Sequence, residues 1–181
     1  GLAEIIERVR SRLITAVRRR AKRGVLELDS GEAIVIEPRM TGLLLLSDAP
    51  DPGHLRLEWK LSGRQKFNSL WFWDRRGLGT VTLYEPEAYQ ALITTGQLGR
   101  DALEMEVAHW LEVCRPSRRA IKVLLLDQQA VAGIGNLYAS EILHRSRINP
   151  LAPANVLTKI QITRLADAVR HILNEAIRYE G

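Results

Sequence analysis

From His54 to Leu61 apolar and polar side chains alternate, with Leu55, Leu57, Trp59 and Leu61 set against Arg56, Glu58 and Lys60, and the run ends in Ser62-Gly63. A period of two places the apolar set on one face of a half-buried strand, and the Ser-Gly pair supplies a turn. Shorter runs of strand character lie at 24–28, 33–36, 42–46, 69–73 and 79–84. Turn chemistry separates several of them, at Asp29-Ser30-Gly31, at 48–53 and at Arg76-Gly77. Many short strands at this spacing predict an antiparallel sandwich or barrel. The start of the chain keeps a different rhythm: Leu2, Ile5, Ile6, Val9 and Leu13 share one helical stripe, which predicts helix up to about Ala21.

Beyond Tyr84 the spacing lengthens to the helical period. It predicts helices over 86–93, 101–114, 121–129 and 137–146, with the glycines of Val131-Ala132-Gly133-Ile134-Gly135-Asn136 separating the last two. Asn149-Pro150 and Ala152-Pro153 mark a loop. Thr158 is then placed to cap a long helix reaching about Tyr179, with Ile162, Leu165, Ala166, Val169, Ile172, Leu173 and Ile177 as its buried stripe. The expected fold is α+β, an antiparallel β-sandwich half followed by an all-helical half. The boundary is expected within 94–98, giving domains of 1–95 and 96–181.

Composition narrows the class. With 181 residues, 46% hydrophobic and 26% charged, the chain can build one large core or two small ones. A single cysteine, Cys114, can neither close an internal disulfide nor build a structural zinc site, so these residues are expected to be metal-free and intracellular. No apolar run nears the roughly 20 residues of a membrane span, and Gly1-Leu2-Ala3-Glu4 lacks the plan of a signal peptide. A soluble cytoplasmic protein with no membrane partner is the expectation. The net charge of +5 matters through its placement. Arg8, Arg10, Arg12, Arg18, Arg19, Arg20, Lys22 and Arg23 face only Glu4 and Glu7 in the first 24 residues, and Arg115, Arg118, Arg119 and Lys122 form a second cluster. Such patches are the footprint of a polyanion such as nucleic acid, or else the solvated faces of helices.

Residues 124–141 read Leu-Leu-Leu-Asp-Gln-Gln-Ala-Val-Ala-Gly-Ile-Gly-Asn-Leu-Tyr-Ala-Ser-Glu. A helix stops, Gly133 and Gly135 permit a tight, left-handed backbone, and a second helix starts at Asn136, a residue suited to capping. Unobstructed N–H groups at such a start make an anion site, and the Asn136 amide adds a donor. By itself, Gly-x-Gly-Asn serves equally as a plain connector.

The full wording resembles the helix-two-turn-helix of the formamidopyrimidine-DNA glycosylase and endonuclease VIII family, closer to formamidopyrimidine-DNA glycosylase. Other landmarks follow in the family's order. Arg19-Arg20-Ala21-Lys22 resembles the strand bearing an active-site lysine. Met40-Thr41-Gly42 resembles the loop whose methionine enters the duplex, and Asp74-Arg75-Arg76-Gly77-Leu78-Gly79 the loop supplying an arginine and an aromatic wedge. Arg119-Ala120-Ile121-Lys122 resembles the approach to the helix-two-turn-helix. The resemblance implies excision of oxidised purines by base flipping, strand cleavage by β,δ-elimination, and double-stranded damaged DNA as the partner of a monomeric, bacterial-type, nucleoid-associated protein. It implies Lys22 as a supporting catalytic residue, Met40, Arg76 and Leu78 as the wedge, and Lys122, Gly133, Gly135 and Asn136 as phosphate anchors. Read as residues alone, Met40 is also simple core filler, Arg76 a solvated turn charge, and Lys22 one member of a basic run. Glu141 is expected to be structural, favouring the helix dipole from a first turn. His54, His109, His144 and His171 show no spacing that forces a ligand or base role.

Several positions depart from the family pattern. Its members open with a proline whose amine is the nucleophile, followed by an acid/base glutamate, whereas this chain opens Gly1-Leu2. The resemblance implies a chain truncated at both ends, stopping before a C-terminal zinc finger beyond Gly181, so that the 181 residues alone are expected to be inactive and to hold no cofactor. Glu37-Pro38-Arg39 stands where a His-Leu-Gly turn faces DNA, and a glutamate there is expected to repel phosphate. Leu78 stands in place of the aromatic wedge, keeping apolar bulk but losing stacking. A non-catalytic DNA- or RNA-binding module using the helix-two-turn-helix is the alternative.

Overall fold

The computed structural model describes residues 2–47, 49–63, 66–94 and 98–180. Asp48 of the expected turn, residues 95–97 of the expected boundary and the Leu2 side chain of the first stripe lie outside the described residues. The chain divides into two compact units, 1–90 and 91–181.

The first unit is a two-sheet sandwich preceded by a short helix, α1 (Leu2–Val9). One sheet has the order β1-β2-β3-β7, formed by β1 (Ile14–Arg20), β2 (Arg23–Leu28), β3 (Ala33–Glu37) and β7 (Thr80–Tyr84). The other, β4-β6-β5, is formed by β4 (Gly42–Leu45), β5 (Leu55–Lys60) and β6 (Ser69–Asp74), and every pairing is antiparallel. Leu26, Leu28, Ile34 and Ile36 from the first sheet meet Leu70 and Phe72 from the second, with Leu57 and Trp59 packed against them. The period-two reading of 54–61 thus places its apolar face correctly.

β1 corrects the sequence reading, which carried helix to about Ala21. Helix ends after Val9, Ser11 turns into left-handed backbone at φ 59°, and Leu13 is exposed. Ile14, Thr15 and Val17 are β-branched, which costs them rotamer freedom in a helix and suits a pleated strand. Pairing with β2 then supplies the hydrogen bonds. Arg8 ties α1 to the sheet: its guanidinium pairs with the carboxylates of Glu32 and Glu85, Nε lying 2.8 Å from Glu32 Oε1.

Register decides which loops meet. Arg20 faces Arg23 across the β1–β2 turn, Gly24 faces Ile36, and Glu37 faces Thr80. In the other sheet Gly42 faces Asp74. The turn 21–22, the loop 38–41 and the loop 75–79 therefore lie at one end of the sandwich.

The second unit begins within α2 (Pro86–Thr94) and is built from α3 (Val107–Cys114), α4 (Ile121–Leu126), α5 (Asn136–Ser146) and α6 (Lys159–Glu180). Its core gathers Met105, Trp110, Cys114, Ile121, Leu124, Leu125, Ile134, Ile142, Leu165 and Val169. The expected α6 stripe is buried from Ile162 to Leu173, whereas Ile177 is exposed. Thr158 caps α6 reciprocally: Gln161 N–H donates to its Oγ1 at 3.3 Å, and its own N–H donates to Gln161 Oε1 at 2.9 Å.

Two helices are shorter than their periodicity suggests. Residues 101–106 are not part of α3, because the Asp101 carboxylate accepts from Leu103 N–H to start a 3-10 turn and β8 (Arg100–Asp101) pairs in parallel with β9 (Val131–Ala132). α4 stops at Leu126 because Asp127 leaves helical geometry, at ψ 103°, and takes Gln129 N–H on its side chain and Ala130 N–H on its carbonyl. No helix among the described residues is long and apolar enough to cross a membrane.

Candidate functional site

At the loop end of the sandwich one carboxylate organises two loops. Asp74 closes β6 and is 1% exposed. Thr41 Oγ1 donates to Asp74 Oδ1 at 2.6 Å, the Arg76 N–H reaches both Thr41 Oγ1 (3.1 Å) and Asp74 Oδ1 (3.2 Å), and the Gly79 N–H reaches Oδ2 at 2.7 Å. The Thr41 hydroxyl, followed by the Gly79 amide, holds this carboxylate below the usual aspartate range. Arg56 Nε donates to the Asp74 carbonyl at 3.0 Å from the neighbouring strand.

Glycine is required on both loops by space. A Cβ on Gly42 would sit 2.4 Å from the Pro38 carbonyl oxygen, and one on Gly79 would sit 2.6 Å from Phe72 Cζ and 3.0 Å from the Glu37 carbonyl. Met40 is 74% exposed, Leu78 is 49% exposed, and Arg76 Nη1 lies 3.1 Å from Met40 Sδ. Core filling, the residue-level alternative for Met40, is thereby excluded. Lys22 sits in the β1–β2 turn rather than within a strand, after Ala21 in left-handed backbone. It is exposed by area, yet enough protein surrounds its ammonium for burial to lower its pKa from the ordinary lysine value.

The structure also revises the expectation for Glu37. Its carboxylate lies 2.6 Å from Arg23 Nε and 3.1 Å from Arg39 Nη2, so it is neutralised locally rather than presented as a bare negative charge.

In the helical unit a side-chain clamp holds the glycine loop. Gln128 Nε2 donates to the carbonyls of Leu126 (3.1 Å) and Ile134 (3.0 Å), while its Oε1 accepts from Gly133 N–H at 3.0 Å. Gly133 alone adopts left-handed backbone, at φ 102°, whereas Gly135 is extended at φ −106°, ψ 173°. Gly135, not Asn136, is the N-cap of α5, and Asn136 is its first helical residue. The Asn136 amide therefore caps nothing: it is exposed and has no side-chain partner among the described residues. The N–H groups of Asn136 and Leu137 likewise take no protein acceptor among those residues, as expected for a first helical turn.

Lys122 Nζ donates to Ser140 Oγ at 2.9 Å, and Ser140 Oγ donates to the Asn136 carbonyl at 3.0 Å. This relay fixes an ammonium beside the first turn of α5. Arg119 pairs with Asp127 at 2.8 Å, joining the approach to α4 to the turn after it and, ahead of the Gln129 amide, keeping the Asp127 carboxyl below its usual range. Glu141 is the sixth residue of α5 and exposed, so it plays no part in the first turn. Cys114 is buried and burial pushes its thiol up to about 11. Among the described residues no group of three or more His, Cys, Asp or Glu side chains is placed to hold a metal ion.

Pattern reading missed Thr41, Asp74, Gln128 and Ser140 as organisers. All four stand inside the segments singled out, but their work is hydrogen bonding, across 33 residues of chain for Thr41–Asp74, 18 for Lys122–Ser140 and up to six within the loop for Gln128. No local periodicity signals such bonds.

Two family models match, in order. The formamidopyrimidine-DNA glycosylase N-terminal domain covers residues 1–81 and the formamidopyrimidine-DNA glycosylase H2TH domain covers 98–181. This chain belongs to the formamidopyrimidine-DNA glycosylase family. The formamidopyrimidine-DNA glycosylase of Chloroflexus aurantiacus is 37% identical over 175 residues, 96% of this chain and 62% of that protein. That of Pelotomaculum thermopropionicum is 37% identical over 184 residues, 99% of this chain and 66% of its own length. The chain thus spans a little under two thirds of these curated relatives. Among solved structures, MutM (Fpg) from Thermus thermophilus matches with a TM-score of 0.78 at 34% identity, over 94% of this chain and 62% of that one. Lactococcus lactis Fpg in complex with abasic-site DNA matches with a TM-score of 0.84 at 28% identity, over all of this chain and 67% of that one.

Proposed function

We propose that the protein containing these residues is a DNA repair enzyme that flips oxidised purines out of duplex DNA, excises them and cleaves the abasic strand. The 181 residues alone bind such DNA without catalysing. The observation that carries this reading is the Asp74 network. It gives Met40, Arg76 and Leu78 a common rigid base and leaves apolar side chains projecting into solvent, at a cost that a monomer fold has no reason to bear. A flipped base leaves a gap in the stack, and such enzymes need something to fill it. Met40 and Leu78 offer apolar bulk for that gap. Arg76 offers guanidinium donors to the acceptors of the orphaned partner base. In the helical unit the bare first turn of α5, the Asn136 amide and the Lys122 ammonium offer the donors that hold a backbone phosphate. Lys22, with its lowered pKa, is assigned to the sugar or phosphate at the lesion.

The reaction needs an amine nucleophile for the Schiff-base step. A glycine occupies position 1 and the first proline is Pro38, so these residues alone lack the family's amino-terminal proline. Borohydride trapping on a duplex holding an oxidised purine is expected to yield no covalent adduct with the 181-residue chain and a stable one with the whole protein. An adduct with the short chain overturns its inactivity, and none with the whole protein overturns the lyase reading in favour of a non-catalytic binding module.

The anchors carry a separate expectation. Lys122→Ala should reduce the salt dependence of duplex binding, the slope of log K against log salt becoming shallower by about 0.9. Asn136→Ala should lower affinity with the slope unchanged, because a neutral amide releases no counterion. Titration of both variants over a series of salt concentrations decides this, and an unchanged slope for Lys122→Ala removes it from the interface.

A further inference from the structure

The loop 38–41 holds a charge arrangement that the wedge leaves unused. The Glu37 carboxylate spans two guanidinium groups, Arg23 Nε on Oε1 at 2.6 Å and Arg39 Nη2 on Oε2 at 3.1 Å. Two cations and one anion leave the trio with one net positive charge. Arg23 is mostly covered, whereas the Arg39 side chain is 59% exposed, so Arg39 presents that charge to solvent. The Arg39 backbone lies at φ 56°, the left-handed region where glycine is free of strain and a residue with a Cβ is not. Among the described residues the only polar partner of its side chain is Glu37, and that exposed pairing adds little to stability. A strained arginine is thus kept at a position where glycine would fold more easily, directly before the exposed Met40.

We propose that Arg39 contacts a backbone phosphate of the DNA strand beside the Met40 wedge, with Glu37 as its positioning residue. The inference rests on the reading of this chain as a duplex-binding protein. Glu37 holds Arg39 through Nη2 alone, an ion pair at 3.1 Å that draws the guanidinium to this side of the loop and leaves its other N–H groups to a phosphate, a match that the planar fork suits. Arg23 cancels the carboxylate charge, so phosphate approaching Arg39 meets no net repulsion from Glu37. The strand is then gripped one residue away from the side chain that enters the stack, so that wedge and anchor move as one loop.

Arg39→Gly, Arg39→Lys and Lys122→Ala are compared with the parent 181-residue chain, each on a duplex oligonucleotide holding one tetrahydrofuran abasic site, in a salt series and in thermal melts. Arg39→Gly is expected to melt at the parent temperature or above, its backbone strain relieved. It should also bind about eightfold more weakly at 0.1 M salt, with a slope shallower by about 0.9, as removal of one phosphate contact requires. Arg39→Lys is expected to keep the slope, since it keeps the charge. Stability and binding moving apart in Arg39→Gly supports the contact. An unchanged slope in Arg39→Gly, or an equal loss in Arg39→Lys, overturns it. If Lys122→Ala lowers the slope and Arg39→Gly does not, only this inference fails. A parent chain without salt-dependent duplex binding removes the functional reading beneath it as well.

Discussion

In an Asp74→Ala chain, amide exchange across 38–42 and 75–79 is expected to run roughly 100-fold faster than in the parent, the effect of losing about two charge-assisted hydrogen bonds from one site. The carboxylate takes Thr41 Oγ1, Arg76 N–H and Gly79 N–H; alanine leaves the Thr41 hydroxyl and the Gly79 N–H without their buried acceptor, while the Arg76 N–H keeps Thr41 Oγ1. Both loops are affected because each is fastened to the same two oxygens. The helical unit shares no hydrogen bond of this network, so exchange in α5 and α6 should stay at the parent level. Loss of protection throughout the chain would mean that the network supports the whole fold and is no local scaffold. Acid should act on the same site. Since the folded carboxyl lies below the ordinary aspartate value of about 3.9, its contribution is complete above that pH and is lost as pH falls through the lower folded value. In the Asp74→Ala chain this acid-dependent loosening of the two loops should be missing.

Gln128→Glu is expected to destabilise the helical unit by about 2–3 kcal/mol at neutral pH despite its near-identical shape. The glutamine donates to two carbonyls, Leu126 and Ile134, and accepts from Gly133 N–H. A carboxylate keeps the acceptor and turns the donor edge into an oxygen facing two other oxygens. That environment disfavours the charged form, so the introduced group should have a raised pKa. The sign of the pH dependence follows: the penalty is full above the raised value and shrinks as pH falls through it, because the protonated acid regains one donor. Chemical denaturation at several pH values measures this. A variant as stable as the parent at neutral pH would show that the glycine loop holds its shape without the Gln128 clamp.

The strands β2 to β7 were legible because each has either a period of two or a short apolar run bounded by turn residues. Leu70-Trp71-Phe72-Trp73 is the clearest such run, and it forms the central strand of its sheet, covered by neighbours on both edges. β1 was not legible. It is an edge strand ending in three arginines, and its identity comes from pairing with β2, which no local window contains. Its helical stripe continued only because α1 set the phase. Helix ends were misjudged where a side chain competed with the backbone, as with Asp101 and Asp127. At the candidate site, Met40, Arg76 and Leu78 could be named from resemblance in sequence. Their support could not, because Thr41 and Asp74 acquire a role only once Gly42 and Asp74 are opposed across β4 and β6.

Sulfur is divided unevenly between inside and outside. Met105 and Cys114 are sealed in the helical core, and a thiol with its pKa at about 11 is ionised in only about one molecule in ten thousand at pH 7. Met40, the remaining sulfur-bearing side chain, stands in solvent. An oxidant therefore meets this chain's sulfur at one accessible atom, and conversion of that thioether to a sulfoxide makes the tip polar and chiral. A polar tip enters a base stack poorly. The conditions that generate oxidised purines would thus blunt the tool proposed to remove them at its point, while leaving the scaffold behind it intact.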